Sequence, residues 1–161
     1  MTERPRLTSR QISHRPHVLI ICDDPSLSEF LVEGLPLGGF WTSVIASGIQ
    51  AIEVFRLRQF DVILLDTGLT SFEWFELIQR LRGTSTRARQ GERRTDAPIV
   101  LVSDITIDLE TDELERHGIE HIIQAPIELD ELVRLMHQTF EEWHLNHPDL
   151  PLADFRSGIL E

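Results

Sequence analysis

Short runs of consecutive apolar residues recur along this chain, and they limit its fold more than any other feature. Three such runs lie within residues 17–22, 61–66 and 98–103. A short run with no polar alternation is typical of a strand that is buried on both faces of a parallel sheet. Less uniform segments at 41–46 and 120–124 predict two further strands, so we expect five in all.

Amphipathic segments separate the predicted strands. The last one follows Pro126 and has apolar residues at the spacing of one helix face. Another contains Thr70-Ser-Phe-Glu73, which matches a capping box and predicts that the third helix begins there. Alternating strands and helices predict an α/β fold, a doubly wound parallel sheet with helices on both faces. The five predicted helices lie at 25–36, 48–58, 70–81, 109–117 and 129–140.

The composition is that of a globular protein, with 41% hydrophobic and 26% charged residues among 161. The sequence contains neither an apolar segment long enough to span a bilayer nor the apolar stretch of a signal peptide. The single cysteine, Cys22, has no partner for an internal disulfide. We therefore expect a cytoplasmic protein with no membrane contact.

The net charge of −12 disfavours nucleic acids as partners. There are 27 acidic residues and 15 basic ones, and every basic residue is an arginine. A surface of this kind repels DNA phosphates, so we expect no direct DNA binding. Residues 80–94 are rich in arginine, and two interpretations stay open for them: a solvated loop, or a docking segment for an acidic partner or RNA.

Three regions of the chain differ in composition. Residues 1–16 are polar and basic and predict a flexible arm, whereas residues 17–143 contain the alternating strands and helices. Residues 144–161 form a C-terminal extension that is rich in leucine, isoleucine and phenylalanine. So many apolar residues are unfavourable in water. We expect the extension to pack on the domain or on a second copy of the chain, which would give a homodimer.

Polar residues follow three of the predicted strands. Asp23 comes after the first strand, Asp66 ends the third, and Ser103 ends the fourth. Ligands of such folds bind beyond the carboxyl ends of the strands, so these side chains should meet there. Adjacent carboxylates are costly without a proton or a cation, and Mg²⁺ prefers oxygen ligands of this kind. The alternative is that Asp23 or Asp24 only caps the first helix.

Four stretches, in this order and spacing, resemble the receiver domain of bacterial two-component response regulators. The resemblance covers about residues 17–140 and implies a flavodoxin-like (βα)5 fold with strand order 2-1-3-4-5. It also implies a signalling module rather than an enzyme, with a sensor histidine kinase or a phosphotransfer protein as partner. The matching stretches are VLIICDDPSLSEFL, FDVILLDTGLTSFEWFELIQRLR, PIVLVSD and GIEHIIQAPIELDEL.

The resemblance assigns roles to individual positions. Asp66 corresponds to the phosphoacceptor aspartate, and Asp23 corresponds to one member of the acid pair that holds Mg²⁺. Gly68 stands where the family supplies a backbone carbonyl to the metal. Ser103 corresponds to the serine or threonine that contacts the phosphoryl group and moves when that group arrives.

Four positions depart from the family pattern. Cys22 stands where the first acid of the pair belongs, and Ala125 occupies the place of the family's lysine. Ile122 replaces the usual switch aromatic, and Asp104 stands where a small residue is usual. We therefore expect weak Mg²⁺ binding and impaired phosphotransfer. A shifted register that pairs Asp23 with the next acid requires a bulge at the strand end and stays an alternative.

The leading hypothesis is an atypical, stand-alone receiver in a two-component phosphorelay that accepts phosphate on Asp66. An alternative within the same fold is a pseudo-receiver that binds its partner without phosphate. A small flavodoxin-like enzyme is less favoured. In a flavodoxin the first strand is followed by a phosphate loop rich in serine, threonine and glycine, whereas here DDPSLS leads straight into a helix.

Overall fold

Five parallel strands form one sheet in the order β2-β1-β3-β4-β5, and helices connect them, which confirms the predicted flavodoxin-like fold. The computed structural model describes residues 14–86, 93–150 and 152–153. Within this part of the chain, no helix is both long and apolar enough to cross a bilayer. The strands are β1 His17–Ile21, β2 Trp41–Ile45, β3 Val62–Asp66, β4 Ile99–Ser103 and β5 Ile119–Gln124. The helices are α1 Pro25–Leu37, α2 Gly48–Val54, α3 Trp74–Arg82, α4 Thr111–Arg116 and α5 Leu129–Asn146.

Both faces of the sheet are packed, which explains the unbroken apolar runs in the sequence. Leu19 and Ile21 of β1 belong to the core on the side of α2 and α3. Val18 and Ile20 belong to the core on the side of α1 and α5. All four residues are completely buried. Because successive side chains of a strand point to opposite faces, a strand that is covered twice has no position for a polar residue.

The third helix begins later than predicted. α3 starts at Trp74 and is capped by Glu73, whose carboxylate accepts two amide protons of the first turn. The predicted capping box is wrong, because the Thr70 amide and hydroxyl donate to Asp23 on another loop. α2 ends at Val54, before the predicted end at residue 58.

The carboxylate of Asp61 closes the amino-terminal end of the sheet, just before β3. Asp61 is only 6% exposed. It accepts three hydrogen bonds of 2.9 Å, from the His14 ring, the His17 amide and the Ala153 amide. These donors come from the segment before β1, from β1 itself and from the C-terminal extension. A single buried carboxylate therefore joins three parts of the chain that are distant in sequence.

The C-terminal extension is described only in part. Residues 144–146 continue α5, so the last helix passes the predicted domain boundary at 143. Leu152 and Ala153 are buried near Asp61, at the end of the sheet opposite Asp66. Outside the described residues lie 1–13 of the predicted arm, 87–92 of the arginine-rich segment, and 151 and 154–161 of the extension.

His17 is held as a neutral imidazole at this end of the sheet. Its Nδ1 lies 3.1 Å from a nitrogen of the Arg58 guanidinium. Because a guanidinium can only donate, Nδ1 accepts, and Nε2 carries the proton that it donates to Ser43 Oγ at 2.8 Å. Burial, followed by the charge of Arg58, lowers the pKa of His17 to about 4. The ring is therefore uncharged at neutral pH.

Arg82, the last residue of α3, is buried at the same end of the sheet. Its guanidinium donates to the carbonyl oxygens of His117 at 2.8 Å, Thr95 at 2.9 Å and Ala97 at 2.6 Å. Gly118 adopts φ +66°, and a Cβ there would lie 2.6 Å from the guanidinium. Burial lowers the pKa of Arg82 to about 10, so the side chain stays charged at neutral pH. This arginine belongs to the core and not to a solvated loop.

Candidate functional site

Cys22 and Asp66 lie side by side at the carboxyl ends of β1 and β3. Ile21 pairs with Leu65 in the sheet register, which brings the next residue of each chain segment level with the other. The Cys22 sulfur lies 3.6 Å from Asp66 Oδ2, and Cys22 is 1% exposed. The residue next to the predicted phosphoacceptor is therefore a thiol, at the position where the sequence comparison expects an acid.

Asp66 is half-buried, and its other oxygen contacts the loop that follows β3. Oδ1 accepts the amide proton of Gly68 at 2.9 Å. A Cβ at Gly68 would lie 3.3 Å from that oxygen, so a larger residue there would crowd the carboxylate. The structure thus brings Gly68 to Asp66 through its amide. The metal contact expected of the Gly68 carbonyl stays a prediction.

Asp23 is hydrogen-bonded to a residue that the sequence did not single out as part of the site. Its Oδ2 accepts the Thr70 hydroxyl at 2.7 Å and the Thr70 amide at 2.9 Å. The Thr70 hydroxyl and then its amide lower the pKa of Asp23. This contact links the loop after β1 to the loop after β3, across 47 residues of sequence.

The Cys22 thiol is protonated at neutral pH. Burial raises the pKa of Cys22 to about 12, and the neighbouring Asp66 carboxylate adds a smaller effect in the same direction. The sulfur lies 3.6 Å from both Asp66 Oδ2 and the Asp24 carbonyl oxygen, so its single, weak S–H donor has two acceptors within reach and donates to one of them at a time. A neutral sulfur does not replace a carboxylate ligand for Mg²⁺, which takes oxygen ligands.

Ser103 lies at the same edge of the sheet, at the end of β4. Its hydroxyl donates to the Ile105 carbonyl at 2.7 Å and accepts the Ile105 amide at 3.1 Å, and Ser103 is 1% exposed. To donate to a phosphoryl oxygen, this hydroxyl must give up its hydrogen bond to the Ile105 carbonyl. The Ala125 amide donates to the Ser103 carbonyl at 2.8 Å. The position of the family's lysine is therefore next to Ser103, and it carries a methyl group.

The other two departures from the family pattern lie on the surface. Asp104 is exposed directly after β4. Ile122 lies on β5, the edge strand of the sheet, and is 36% exposed. Asp104 adds negative charge next to Ser103, and Ile122 lacks an aromatic ring that turns between two positions.

No cation compensates the carboxylates within the described residues. The contacts of Asp23 and Asp66 there are the hydrogen bonds given above, and no arginine forms an ion pair with either. That part of the chain also contains no cluster of three or more histidine, cysteine, aspartate or glutamate side chains arranged to hold a metal ion. The donor set therefore fits Mg²⁺ poorly: one expected oxygen ligand is sulfur, and one oxygen of Asp23 is already hydrogen-bonded twice.

Comparison with curated proteins finds response regulators. The DNA-binding response regulator MtrA of Mycobacterium leprae (strain TN) is 28% identical over 162 aligned residues, which cover 75% of this chain and 72% of the relative. No profile of a known protein family matches the chain.

Comparison with solved structures finds receiver domains. The CheY-like receiver domain from Methylobacillus flagellatus has a TM-score of 0.63 at 21% identity and covers 78% of this chain and 99% of that one. The receiver domain of the sensor histidine kinase PA1611 from Pseudomonas aeruginosa PAO1, with a magnesium ion in its active-site cleft, has a TM-score of 0.63 at 20% identity. It covers 80% of this chain and 99% of the other. With strand order and relatives in agreement, this chain has the fold of a receiver domain and is similar in sequence to response regulators.

Proposed function

We propose that the chain is an atypical receiver that accepts a phosphoryl group on Asp66 from a sensor histidine kinase or a phosphotransfer protein. The observation that carries this proposal is the position of Asp66: a half-buried carboxylate at the carboxyl end of the central strand, with Cys22 and the Gly68 amide beside it. In this role the chain receives the phosphoryl group and signals by binding, and it is not an enzyme.

The transfer requires little covalent chemistry from the receiver. An oxygen of Asp66 attacks the phosphorus of a phosphohistidine, and the bond between phosphorus and the imidazole nitrogen breaks. The electron pair leaves with that nitrogen, which then takes a proton from solvent. The Gly68 amide holds Oδ1, so Oδ2, next to the Cys22 thiol, is the freer of the two oxygens. Because such transfers depend on positioning and charge, we expect the missing groups to slow the reaction before they abolish it.

Charge limits the rate and the stability of the product. A phosphoryl group on Asp66 brings about two negative charges next to Asp23 and near Asp104. A cation 4 Å away would contribute about 4 kcal/mol at an effective dielectric constant near 20, before screening by solvent. Ala125 supplies no such cation, and bound Mg²⁺ would supply part of the missing positive charge. With Cys22 in place of an acid, we expect the Mg²⁺ affinity of Asp23 and Asp66 to be weak, in the millimolar range or above.

Incubation with acetyl phosphate and Mg²⁺, followed by intact-mass measurement, tests the proposal. We expect slow, substoichiometric addition of one phosphoryl group to the wild type and none to Asp66→Asn, which keeps the shape of the side chain. Cys22→Asp combined with Ala125→Lys restores both missing groups and should label faster. If neither the wild type nor this double variant is labelled, Asp66 is not a phosphoacceptor.

The second candidate is a pseudo-receiver that binds its partner without phosphate. The observation that favours it is that the described contacts of Asp23 and Asp66 are internal hydrogen bonds that need no cation. The Asp66→Asn variant separates the two candidates once a partner has been isolated. Unchanged affinity of this variant for the partner supports the pseudo-receiver, and a loss of phosphate-dependent affinity supports phosphotransfer.

A flavin-binding enzyme is not favoured by the geometry of the first loop. Asp24 caps α1 by accepting the Ser26 amide proton at 3.0 Å. A carboxylate therefore occupies the helix N-terminus where a flavin phosphate would bind, and the two negative charges would repel each other. The overall charge of −12 argues in the same way against DNA as a direct ligand of this domain.

Self-association through the C-terminal extension is the remaining proposal about partners. Leu152 and Ala153 are buried against the domain, while residues 151 and 154–161 of the extension lie outside the described residues. We expect removal of residues 154–161 to lower the mass measured by sedimentation from that of a dimer to that of a monomer. An identical sedimentation coefficient per chain, with the full-length protein monomeric, would contradict a homodimer.

A further inference from the structure

We infer that Thr70 is a positioning residue that holds Asp23 in a hydrogen-bonded arrangement and withholds it from Mg²⁺. The inference rests on the proposed function, since it concerns the same acid pair. It adds a specific cause for the weak metal binding of this chain. The first cause, the replacement of an acid by Cys22, can be read from the sequence. The second cause, the hydrogen bonds that Thr70 donates to Asp23, is seen only in the structure.

Thr70 donates two hydrogen bonds to the same oxygen of Asp23. Its hydroxyl and its amide both reach Oδ2 of Asp23, at 2.7 Å and 2.9 Å. Hydrogen bonds to a charged acceptor are about twice as strong as those between neutral groups. The lowered pKa of Asp23 has these two bonds as its largest causes, which agrees with stabilisation of the ionised carboxylate.

The two hydrogen bonds link the two loops and stabilise the charge of Asp23, as a bound cation would. They connect the loop after β1 to the loop after β3. They also direct the positive ends of an N–H and an O–H dipole at a carboxylate that has no ion-pair partner among the described residues. A metal that coordinates Oδ2 has to displace these donors, which then have to form hydrogen bonds with water instead. The apparent affinity of Asp23 for Mg²⁺ through Oδ2 is therefore reduced by the equilibrium constant of the hydrogen-bonded arrangement.

A Mg²⁺ titration followed by backbone amide NMR tests the role of Thr70. Thr70→Val removes the hydroxyl and keeps the shape and the amide, whereas Thr70→Ser keeps the hydroxyl. Thr67→Val changes a threonine of the same loop whose amide donates to Val102, so it is the matched control. The series is measured in the wild type and again in Cys22→Asp, where the restored acid brings the affinity into a measurable range.

We expect Thr70→Val to bind Mg²⁺ about tenfold more tightly than its parent, a factor that corresponds to about 1.4 kcal/mol. Thr70→Ser and Thr67→Val should bind like their parents. Equal affinity of Thr70→Val and its parent would overturn the inference, and so would an absence of Mg²⁺ binding in Cys22→Asp with Thr70→Val. Circular dichroism checks that each variant is folded.

The pKa of Asp23 gives a second measurement that does not depend on the metal. Carboxyl ¹³C shifts during an acid titration should show a higher pKa in Thr70→Val and an unchanged one in Thr70→Ser. The outcome is separate from that of the proposed function. If Thr70→Val tightens Mg²⁺ binding but acetyl phosphate labels no variant, the role of Thr70 stands and phosphotransfer fails. If labelling occurs but Thr70→Val binds Mg²⁺ like its parent, the reverse holds.

Discussion

The aspartates at the two ends of β3 differ in their exposure and in their hydrogen bonds. Asp61, at the amino-terminal end, is 6% exposed and accepts three hydrogen bonds from three separate parts of the chain. Asp66, at the carboxyl end, is half-buried and has one amide at 2.9 Å and a weakly donating thiol at 3.6 Å. The same side chain accepts three strong hydrogen bonds at one end of a strand and one at the other.

This difference separates a structural carboxylate from one that is available for chemistry. A buried carboxylate that already accepts three hydrogen bonds is held in place by them, and removing it leaves its donors without an acceptor. A carboxylate with spare lone pairs at the carboxyl edge of a parallel sheet lies where ligands of such folds bind. The number and origin of the donors distinguish these two aspartates better than residue type does.

The largest expected effect is on stability at Asp61. Asp61→Ala leaves the amides of His17 and Ala153 and the ring of His14 without their acceptor, so we expect a loss of about 4 kcal/mol in the free energy of unfolding. Asp66→Ala should change the free energy of unfolding by less than about 1 kcal/mol, as for other partly exposed sites. Urea denaturation of both variants gives the comparison. Similar losses in the two would show that the contrast between the ends of β3 has no energetic basis.

The Asp61 end should also respond to acid. The pKa of His17 is lowered from 6.5 to about 4 in the folded chain, chiefly by burial. The unfolded state therefore takes up a proton first as the pH falls, and stability is lost between pH 6.5 and about pH 4. This difference in pKa corresponds to about 3 kcal/mol, and His17→Gln should remove that part of the acid slope. Urea unfolding of both proteins at a series of pH values measures it, and parallel slopes would contradict the assignment.

At the Asp66 end, the effect of one added acid should be seen in metal affinity. Cys22→Asp supplies the missing carboxylate next to Asp66, and we expect about tenfold tighter Mg²⁺ binding, or about 1.4 kcal/mol. Cys22→Ser, which adds oxygen without charge, is the matched control and should bind more weakly than Cys22→Asp. If isothermal titration shows equal affinity for all three proteins, Asp23 and Asp66 are not the acid pair of the site.

The smallest expected effect is the conformational response to a phosphoryl analogue. Beryllofluoride with Mg²⁺ should shift backbone amide signals near Asp66 and leave most of residues 103–127 in place. Ala125 offers no charge to pair with the analogue, and Ser103 is already bonded to Ile105. A ligand shifts an equilibrium only by its differential affinity for the two states. Large shifts from β4 to α5 would show that a switch operates without the lysine, and Ala125→Lys is the variant that should produce them.

The fold was predictable because its information is local and repeated. An apolar run of about the observed length predicts each buried strand, and the five predicted strands agree with the observed ones to within two residues at each end. The residues at the strand ends followed from the same pattern, since parallel strands bring their carboxyl ends to one edge. The strand pattern was therefore enough to predict that Asp66, Cys22 and Ser103 lie at this edge, whereas their roles come from the family resemblance and stay predictions.

The contacts that the sequence did not reveal are long-range. The residues around Thr70 fit a local capping box, but the hydroxyl binds Asp23, 47 positions away, and Glu73 caps α3 instead. Asp61 is bonded to His14 and Ala153, which are 47 and 92 positions away. A local sequence pattern cannot predict such partners, because they come close to each other only when the sheet has formed.

The buried guanidinium of Arg82 has a consequence for where this chain keeps its positive charge. A receiver of ordinary composition has a lysine at its phosphate site, and this sequence has none anywhere. The buried guanidinium of Arg82 instead lies at the opposite edge of the sheet, where its three nitrogens donate to carbonyls of the segments that lead into β4 and β5. A lysine has a single nitrogen on a flexible stem, so it cannot reproduce three bonds that start from three different nitrogens of a planar group. The buried positive charge therefore stabilises the fold, and the carboxylates at the edge that would receive a phosphoryl group have no cation beside them among the described residues.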